Sequence, residues 1–209
     1  MAILIPAILS PNRADFQAKL NQLIPFCQRI QIDIMDGKFV KHQTIMPQDL
    51  PPQPSDVTFE LHLMVDDPAS IISKIFKANV STIIFHYEST KSPADIINLI
   101  PSEFGKGIAI NPKTPIEKIL PYLGDLDLVL VMSVEPGSAG QKFIPDALLK
   151  ISALHNLKPD LIIEVDGGID LKCAKQVVEA GADQIVVGSG IFQAKDLSET
   201  IQKLKDIIQ

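Results

Sequence analysis

Short apolar runs recur along the 209-residue chain at the spacing of one strand plus one helix. They fall at Ile3–Leu9, Arg29–Ile34, Thr58–Met64, Ser81–His86, Gly107–Ile110, Leu126–Ser133, Leu161–Val165 and Gln184–Val187. The runs are short, rich in β-branched residues and almost continuously apolar, as expected of parallel strands buried on both faces. Helix-period segments lie between them, at Arg13–Ile24, Pro68–Ala78, Ser92–Pro101, Pro115–Leu123, Pro145–Leu157, Leu171–Ala180 and Asp196–Ile208. Ser92-Pro93, Thr114-Pro115 and Ile144-Pro145 are start signals, because a proline in the first turn forfeits no hydrogen bond. Asn79 and Gly181 follow two of the helical segments, where a left-handed stop would stand. One unit breaks the pattern. The stretch from Pro47 to Ser55 contains Pro47, Pro51, Pro52 and Pro54, so at most one turn followed by extended chain is expected there.

Eight strands alternating with helices predict either an open doubly wound sheet or a closed parallel barrel. Two features favour an α/β fold of the (β/α)8 TIM-barrel type. Polar residues stand at the end of nearly every strand, and glycine turns follow the last two. Residues 1–209 are expected to form a single domain.

Composition narrows the partners. Hydrophobic residues make up 46% and charged residues 21%, which is enough apolar material for a core and too much for disorder. The net charge of −6 has no basic run to offset it, so neither nucleic acid nor an acidic membrane surface is an expected partner. Cys27 and Cys173 are far apart and lack a C-x-x-C pattern, which predicts thiols of a reducing, cytoplasmic setting rather than a disulfide. Met1–Leu9 contains Pro6, has no basic leader and reads as a first strand rather than a signal peptide. No apolar run approaches the ~18 residues of a membrane helix.

The candidate chemistry gathers at the ends of the strands. Asp166-Gly167-Gly168-Ile169 and Gly188-Ser189-Gly190-Ile191-Phe192 each end an apolar run and open a helical pattern. Consecutive glycine turns of this kind cradle an anion with backbone N–H groups, and in eight-stranded barrels the phosphate site is often built there. The other strand ends supply Gln31, Asp33 and Asp36, then His62, then His86 and Glu88, Asn111, Ser133 and Glu135, and Glu164 with Asp166. Alternation puts Gln31 and Asp33 on one face of their strand and Ile30, Ile32 and Ile34 on the other. Gln31, Asp33, His62 and Asp166 can therefore converge. Two carboxylates, an imidazole and an amide oxygen make a candidate site for Zn²⁺, Mn²⁺ or Fe²⁺, and two carboxylates flanking one carbon are what acid/base chemistry needs. Each residue alone has a structural explanation. Asp166 could cap a helix, His62 could be a hydrogen-bonded core histidine, and Met35, Met64 and Met132 could be core filler.

These segments resemble the ribulose-phosphate 3-epimerases of the pentose phosphate and Calvin pathways. The resemblance runs through Pro6-Ala-Ile-Leu-Ser10, Ile32-Asp-Ile-Met-Asp-Gly-Lys-Phe-Val40, His62-Leu-Met-Val65, Phe85-His86, Asn111-Pro-Lys-Thr-Pro115, Val131 to Ile144, Val165-Asp-Gly-Gly-Ile169 and Val187 to Phe192. It implies a (β/α)8 barrel that interconverts D-ribulose 5-phosphate and D-xylulose 5-phosphate. It further implies that Asp33 and Asp166 are the acid/base pair. A divalent metal on Asp33, His62, Asp166 and the position of Gln31 would stabilise an enediolate. His62 together with Met35, Met64 and Met132 would surround the substrate. Gly168, Gly188 and Ser189 would hold its phosphate, and Gly137, Ser138, Ala139 and Gly140 would form a closing loop. A small phosphorylated ketose is the implied partner, and a homo-oligomer is expected.

The chain departs from that family at several points. The family usually carries His where Gln31 stands, which implies weaker metal binding here. It usually carries Ser where Ala7 stands, and Gly-Phe-Gly-Gly where Gly137-Ser138-Ala139-Gly140 stands. Lys41-His42 replaces Pro-Asn. These departures keep two alternatives open: an epimerase for another ketose phosphate, such as a hexulose 6-phosphate, and a non-catalytic sugar-phosphate binder. A decarboxylase or aldolase built on an Asp-x-Lys strand end, here Asp36-Gly37-Lys38, is a further alternative.

Overall fold

A computed structural model describes residues 2–50, 57–75 and 79–209. Eight strands form one closed, all-parallel barrel in sequence order. They are β1 (Ile3–Ile8), β2 (Arg29–Met35), β3 (Thr58–Met64), β4 (Val80–His86), β5 (Gly105–Ile110), β6 (Leu128–Met132), β7 (Ile162–Asp166) and β8 (Gln184–Val187). Closure comes from β1 pairing with both β2 and β8. Each expected strand is present, with ends shifted by at most two residues. The helices are α1 (Arg13–Leu23), α2 (Pro68–Ile72), α3 (Pro93–Leu99), α4 (Ala147–Leu157), α5 (Ala174–Glu179), α6 (Ser189–Phe192) and α7 (Leu197–Ile208). Asn12, Asp67 and Asp196 cap three of them by accepting from the backbone N–H three residues on. No helix among the described residues is long and apolar enough to cross a membrane.

The departures from the expected helices have local causes. The helix expected over Pro115–Leu123 is instead two 3-10 segments, Ile116–Lys118 and Leu120–Asp125. Pro121 lies inside that span, where it lacks an N–H and clashes with the carbonyl four residues back. The segment expected over Leu171–Ala180 starts late, because Asp170 Oδ1 accepts from the N–H groups of Lys172 and Cys173 and holds a turn ahead of α5. The segment expected over Pro68–Ala78 is helical to Ile72, and its last three residues lie outside the described ones. The Pro-rich unit forms a single 3-10 turn at Pro47–Asp49, and residues 51–55 of it lie outside the described ones. Asn79 (φ 75°) and Gly181 (φ 108°) are left-handed as expected. Both cysteines are free thiols.

The main apolar core lies between the barrel wall and the helices, and Ile30, Ile32 and Ile34 of β2 point into it. The barrel interior is divided. Ile84, Ala109, Leu128, Leu130 and Met132 from β4–β6 form one apolar cluster inside, and Ile5, Ala7 and Val186 from β1 and β8 form another. The remaining sector, from β2, β3, β7 and the foot of β8, is polar: Gln31, Glu60, His62, Glu164 and Gln184 are all buried.

Glu164, expected at the mouth, is instead buried one alternation below Asp166 on β7. Gln184 links it to Arg29, donating to Glu164 Oε2 at 2.7 Å and accepting from Arg29 Nη1 at 3.0 Å. Both oxygens of Glu60 and Oε1 of Glu164 lack a hydrogen-bond donor. Burial pushes Glu60 up to about 7, and it drives Glu164 well above the carboxylate range with Glu60's own charge adding to the effect. The folded chain therefore keeps protons here that the unfolded chain releases above its ordinary value of 4.5. Glu60 therefore costs stability as pH rises from there through about 7, and Glu164 adds a cost of the same sign. Glu60→Gln removes the charge and keeps the shape. At pH 8 its melting temperature should exceed that of the native protein by roughly 5 °C, and at pH 4 the difference should vanish, as differential scanning calorimetry would show. An equal Tm at pH 8 would contradict the assignment.

Candidate active site

The carboxyl end of the barrel holds a cavity of about 790 Å³ lined by Asp33, Asp166, Ala7, Met35, Met64 and Met132, by the glycine turns after β7 and β8, and by the loop 136–143 after β6. Strand register puts its floor together. Asp33 on β2 lies beside His62 on β3, Met35 beside Met64, and Asp166 on β7 beside Met132 on β6. Asp33 and Asp166 reach toward one another across the interior, past β8 and β1. Thr44 fixes the end of β2: its Oγ1 donates to the Asp33 carbonyl at 2.7 Å and accepts from the Met35 N–H at 2.8 Å.

Below the floor, Gln31 and His62 are fully buried and do not line the cavity. Gln31 Nε2 donates to Asp33 Oδ1 at 2.8 Å and Asp166 Oδ2 at 2.9 Å, and lies 3.4 Å from His62 Nδ1. His62 Nδ1 is itself 3.2 Å from Asp33 Oδ1 and 3.6 Å from Asp166 Oδ2. The four residues that alternation and strand order predicted to converge are therefore in mutual contact.

Behind His62 runs a row that fixes its tautomer. Glu88 Oε2 lies 3.4 Å from His86 Nδ1, and His86 Nε2 lies 2.9 Å from His62 Nε2. Glu88 Oε1 accepts from the Asn111 N–H and from Thr114 Oγ1. Despite its burial, these donors and His86 hold Glu88 below the usual carboxylate range. An ionised carboxylate only accepts, so His86 Nδ1 carries the proton and His86 Nε2 is bare. His62 Nε2 must then carry its proton, which leaves the Nδ1 lone pair facing the two aspartates. Burial holds both imidazoles down, to about 4 each, so both are neutral at pH 7. His86 and Glu88 were visible in the sequence as strand-end polar residues, but nothing in their spacing marked them as the support of His62.

Burial pushes Asp33 up to about 7 and Asp166 up to about 6, with Asp33's charge adding to the rise at Asp166 and the Gln31 amide opposing it at both. Both carboxyls are therefore held nearer to neutral pH than an exposed aspartate would be.

The rim is built by loops. Gly167 (φ 119°) and Gly168 (φ 64°) turn the chain after β7, and a Cβ on Gly168 would lie 2.4 Å from the Phe143 backbone nitrogen, so the turn packs directly under the β6 loop. Gly188 and Ser189 open α6 and line the same side of the cavity. In the β6 loop Gly137 is buried, while Ser138, Ala139 and Gly140 are exposed. His42 Nδ1 donates to the Gly137 carbonyl at 2.7 Å, and Val40 lies directly beneath Gly137. The sequence marked His42 only as part of a departure from the resembled family and Thr44 not at all, since both act through chain that folds back over the end of β2.

Several expected strand-end residues lie outside the site. Asp36 spends its carboxylate on the N–H groups of Lys38, Phe39 and Asp66. Lys38 is exposed, and neither residue lines the cavity, so the Asp-x-Lys alternative has no geometric support. Ser133 donates to the Gly167 carbonyl at 2.6 Å and serves the β7 turn. Glu135 is a surface residue paired with Lys113.

Asp33, His62 and Asp166 each offer a ligand atom within 4.8 Å of the other two. Two carboxylate oxygens and a bare imidazole nitrogen facing one point suit a divalent cation. Gln31 adjoins them with Nε2 toward that point, and its Oε1 is buried without a hydrogen-bond donor.

The ribulose-phosphate 3 epimerase family model matches residues 3–192. The chain is 36% identical to the ribulose-phosphate 3-epimerase of Schizosaccharomyces pombe, over 99% of this chain and 94% of that protein. It is 37% identical to the ribulose-phosphate 3-epimerase of Bacillus subtilis, over 96% of each. Among solved structures, KGPDC from Streptococcus mutans superposes with a TM-score of 0.70 at 11% identity, covering 100% of this chain and 97% of that one; that likeness is one of fold. The chain belongs to the ribulose-phosphate 3-epimerase family of isomerases.

Proposed function

We propose that this protein is a pentulose-phosphate 3-epimerase that interconverts D-ribulose 5-phosphate and D-xylulose 5-phosphate. The observation that carries the reading is the pairing of Asp33 and Asp166 at one cavity floor, bridged by the Gln31 amide and both raised in proton affinity by burial. Epimerisation at a carbon beside a carbonyl needs a base on one face and an acid on the other. The ionised aspartate takes the C3 proton, leaving an enediolate, and the protonated one returns a proton to the opposite face. The roles exchange in the reverse direction. The Met35, Met64 and Met132 side chains form apolar walls that keep water from the enediolate. The turns at Gly168 and at Gly188-Ser189 receive the phosphate. The loop at Gly137–Gly140 covers the substrate, and His42 and Val40 hold its first residue down. Asp33, His62 and Asp166 would hold a divalent cation, with Gln31 adjoining, and such an ion would supply Lewis-acid stabilisation of the substrate oxygens.

Purified protein supplied with Zn²⁺, Mn²⁺ or Fe²⁺ should epimerise D-ribulose 5-phosphate in a coupled assay. Asp33→Asn and Asp166→Asn should each lower kcat by at least ~10³-fold, the upper part of the range for losing a positioned proton-transfer group. Turnover only on a hexulose 6-phosphate would reassign the substrate. Binding of the pentulose phosphate without turnover, at any metal, would reduce the protein to a sugar-phosphate binder.

Glu88→Gln no longer dictates the His86 and His62 tautomers. It should weaken Zn²⁺ binding by about 10-fold in competition with a chromophoric chelator. Gln31→His should tighten it by a similar factor, since imidazole is the better ligand. Unchanged affinity in both variants would remove the metal from this site.

His42→Ala frees the Gly137 carbonyl. It should raise KM several-fold and speed hydrogen exchange of loop amides 136–141, while thermal stability stays within about 0.5 kcal/mol of native. Unchanged loop exchange would show that His42 does not hold the loop.

A further inference from the structure

Three acceptor atoms face one point under the cavity floor: Asp33 Oδ1, Asp166 Oδ2 and the bare His62 Nδ1. Acceptors facing one another in a dry pocket repel unless something positive lies between them. Gln31 Nε2 is that group: its two N–H bonds reach Asp33 and Asp166 at 2.8 and 2.9 Å, with His62 Nδ1 at 3.4 Å. The other end of the same carboxamide, Oε1, is buried with no donor. The amide is therefore oriented by the three acceptors rather than by any partner for its oxygen.

A cation shared by those three atoms, at the ~2.0–2.2 Å usual for nitrogen and carboxylate ligands, must occupy the space that the N–H groups now fill. The N–H groups and a cation repel each other, so both cannot face that point. A half-turn of the carboxamide about its last side-chain bond exchanges Nε2 for Oε1 and presents a lone pair instead. Without a cation this second orientation would place an oxygen against three acceptors. With one, it supplies a ligand. The two orientations are thus mutually exclusive, and the charge at the centre selects between them.

We propose that the Gln31 carboxamide is a two-state element of this site: its NH2 group stands in for the metal when none is bound, and it turns to present Oε1 when one binds. The inference rests on the metal-binding reading of the site. It adds that metal entry here is a displacement, in which the incoming ion replaces two internal hydrogen bonds. The metal-free site consequently stays assembled, with Asp33 and Asp166 bridged and ready. A histidine in place of Gln31 has no amide hydrogens to play this part.

Gln31 can be watched directly. Full-length protein labelled with ¹⁵N in glutamine side chains, stripped of metal, is titrated with diamagnetic Zn²⁺. The Gln31 NH2 resonances are assigned by their absence from Gln31→Met and, should that variant fold poorly, from Gln31→Glu. In metal-stripped protein the pair should show the downfield shift and slowed solvent exchange of protons bonded to carboxylates. On saturation with Zn²⁺ both protons should move upfield and their exchange protection should fall by roughly tenfold or more, the loss expected for a broken hydrogen bond. An unmoved Gln31 pair in protein shown by chelator competition to have bound Zn²⁺ would overturn the proposal, as would failure to bind Zn²⁺ at all. Turnover is measured separately. An active enzyme whose Gln31 amide stays still sinks the switch and leaves the epimerase reading; a turning amide in an inactive protein does the reverse.

Discussion

Two carboxylates are confined in one dry pocket, and the rest of the site is arranged around that fact. Asp33 and Asp166 come from strands separated by β8 and β1, and both are deprived of most of their hydration. Left alone, such a pair would protonate or spread apart. Here the Gln31 amide bridges them and the His62 lone pair completes the triangle. Burial comes first in both raised proton affinities, and the charge of Asp33 adds second at Asp166 alone. That order matters for the proposed chemistry, because it brings both carboxyls toward the pH at which each can exchange a proton.

Holding this centre in place takes a polar sector through much of the barrel. Glu88, Asn111 and Thr114 at the ends of β4 and β5 set the His86 tautomer, which sets that of His62. One alternation below the aspartates, Glu60, Glu164, Gln184 and Arg29 form a second polar layer. Most eight-stranded barrels fill such layers with branched aliphatics. This one does so only in the β4–β6 sector and along β1 and β8. Charge buried under the site costs stability at neutral and alkaline pH, and the apolar belt between wall and helices offsets it.

The strands and the centre were legible in the sequence because both follow from alternation and order. Continuous β-branched runs marked eight strands buried on both faces. The two-residue period then put Gln31 and Asp33 inward, and sequential closure brought His62 and Asp166 to them. The rest depended on chain that folds back or on depth along a strand. Nothing local distinguishes Glu164, two residues below Asp166, from a mouth residue, since both face inward and only the position of the rim separates them. Thr44 and His42 act across loops onto β2 and the β6 loop, contacts no periodicity encodes. The helix expected between β5 and β6 failed for a reason present in the sequence itself, Pro121, whose breaking effect outweighs the apolar spacing around it.

The mechanism stands or falls on two carboxylates acting on opposite faces of one carbon. Conversion of D-ribulose 5-phosphate in D2O, stopped after a small fraction has reacted and read by ¹H NMR, tests this most directly. A base that takes the C3 proton and a separate acid that returns a solvent-exchanged one predict D-xylulose 5-phosphate carrying deuterium at C3, with none at the neighbouring carbons. Product that retains the original C3 hydrogen would mean that one group moves the proton across both faces, and would contradict the roles assigned to Asp33 and Asp166.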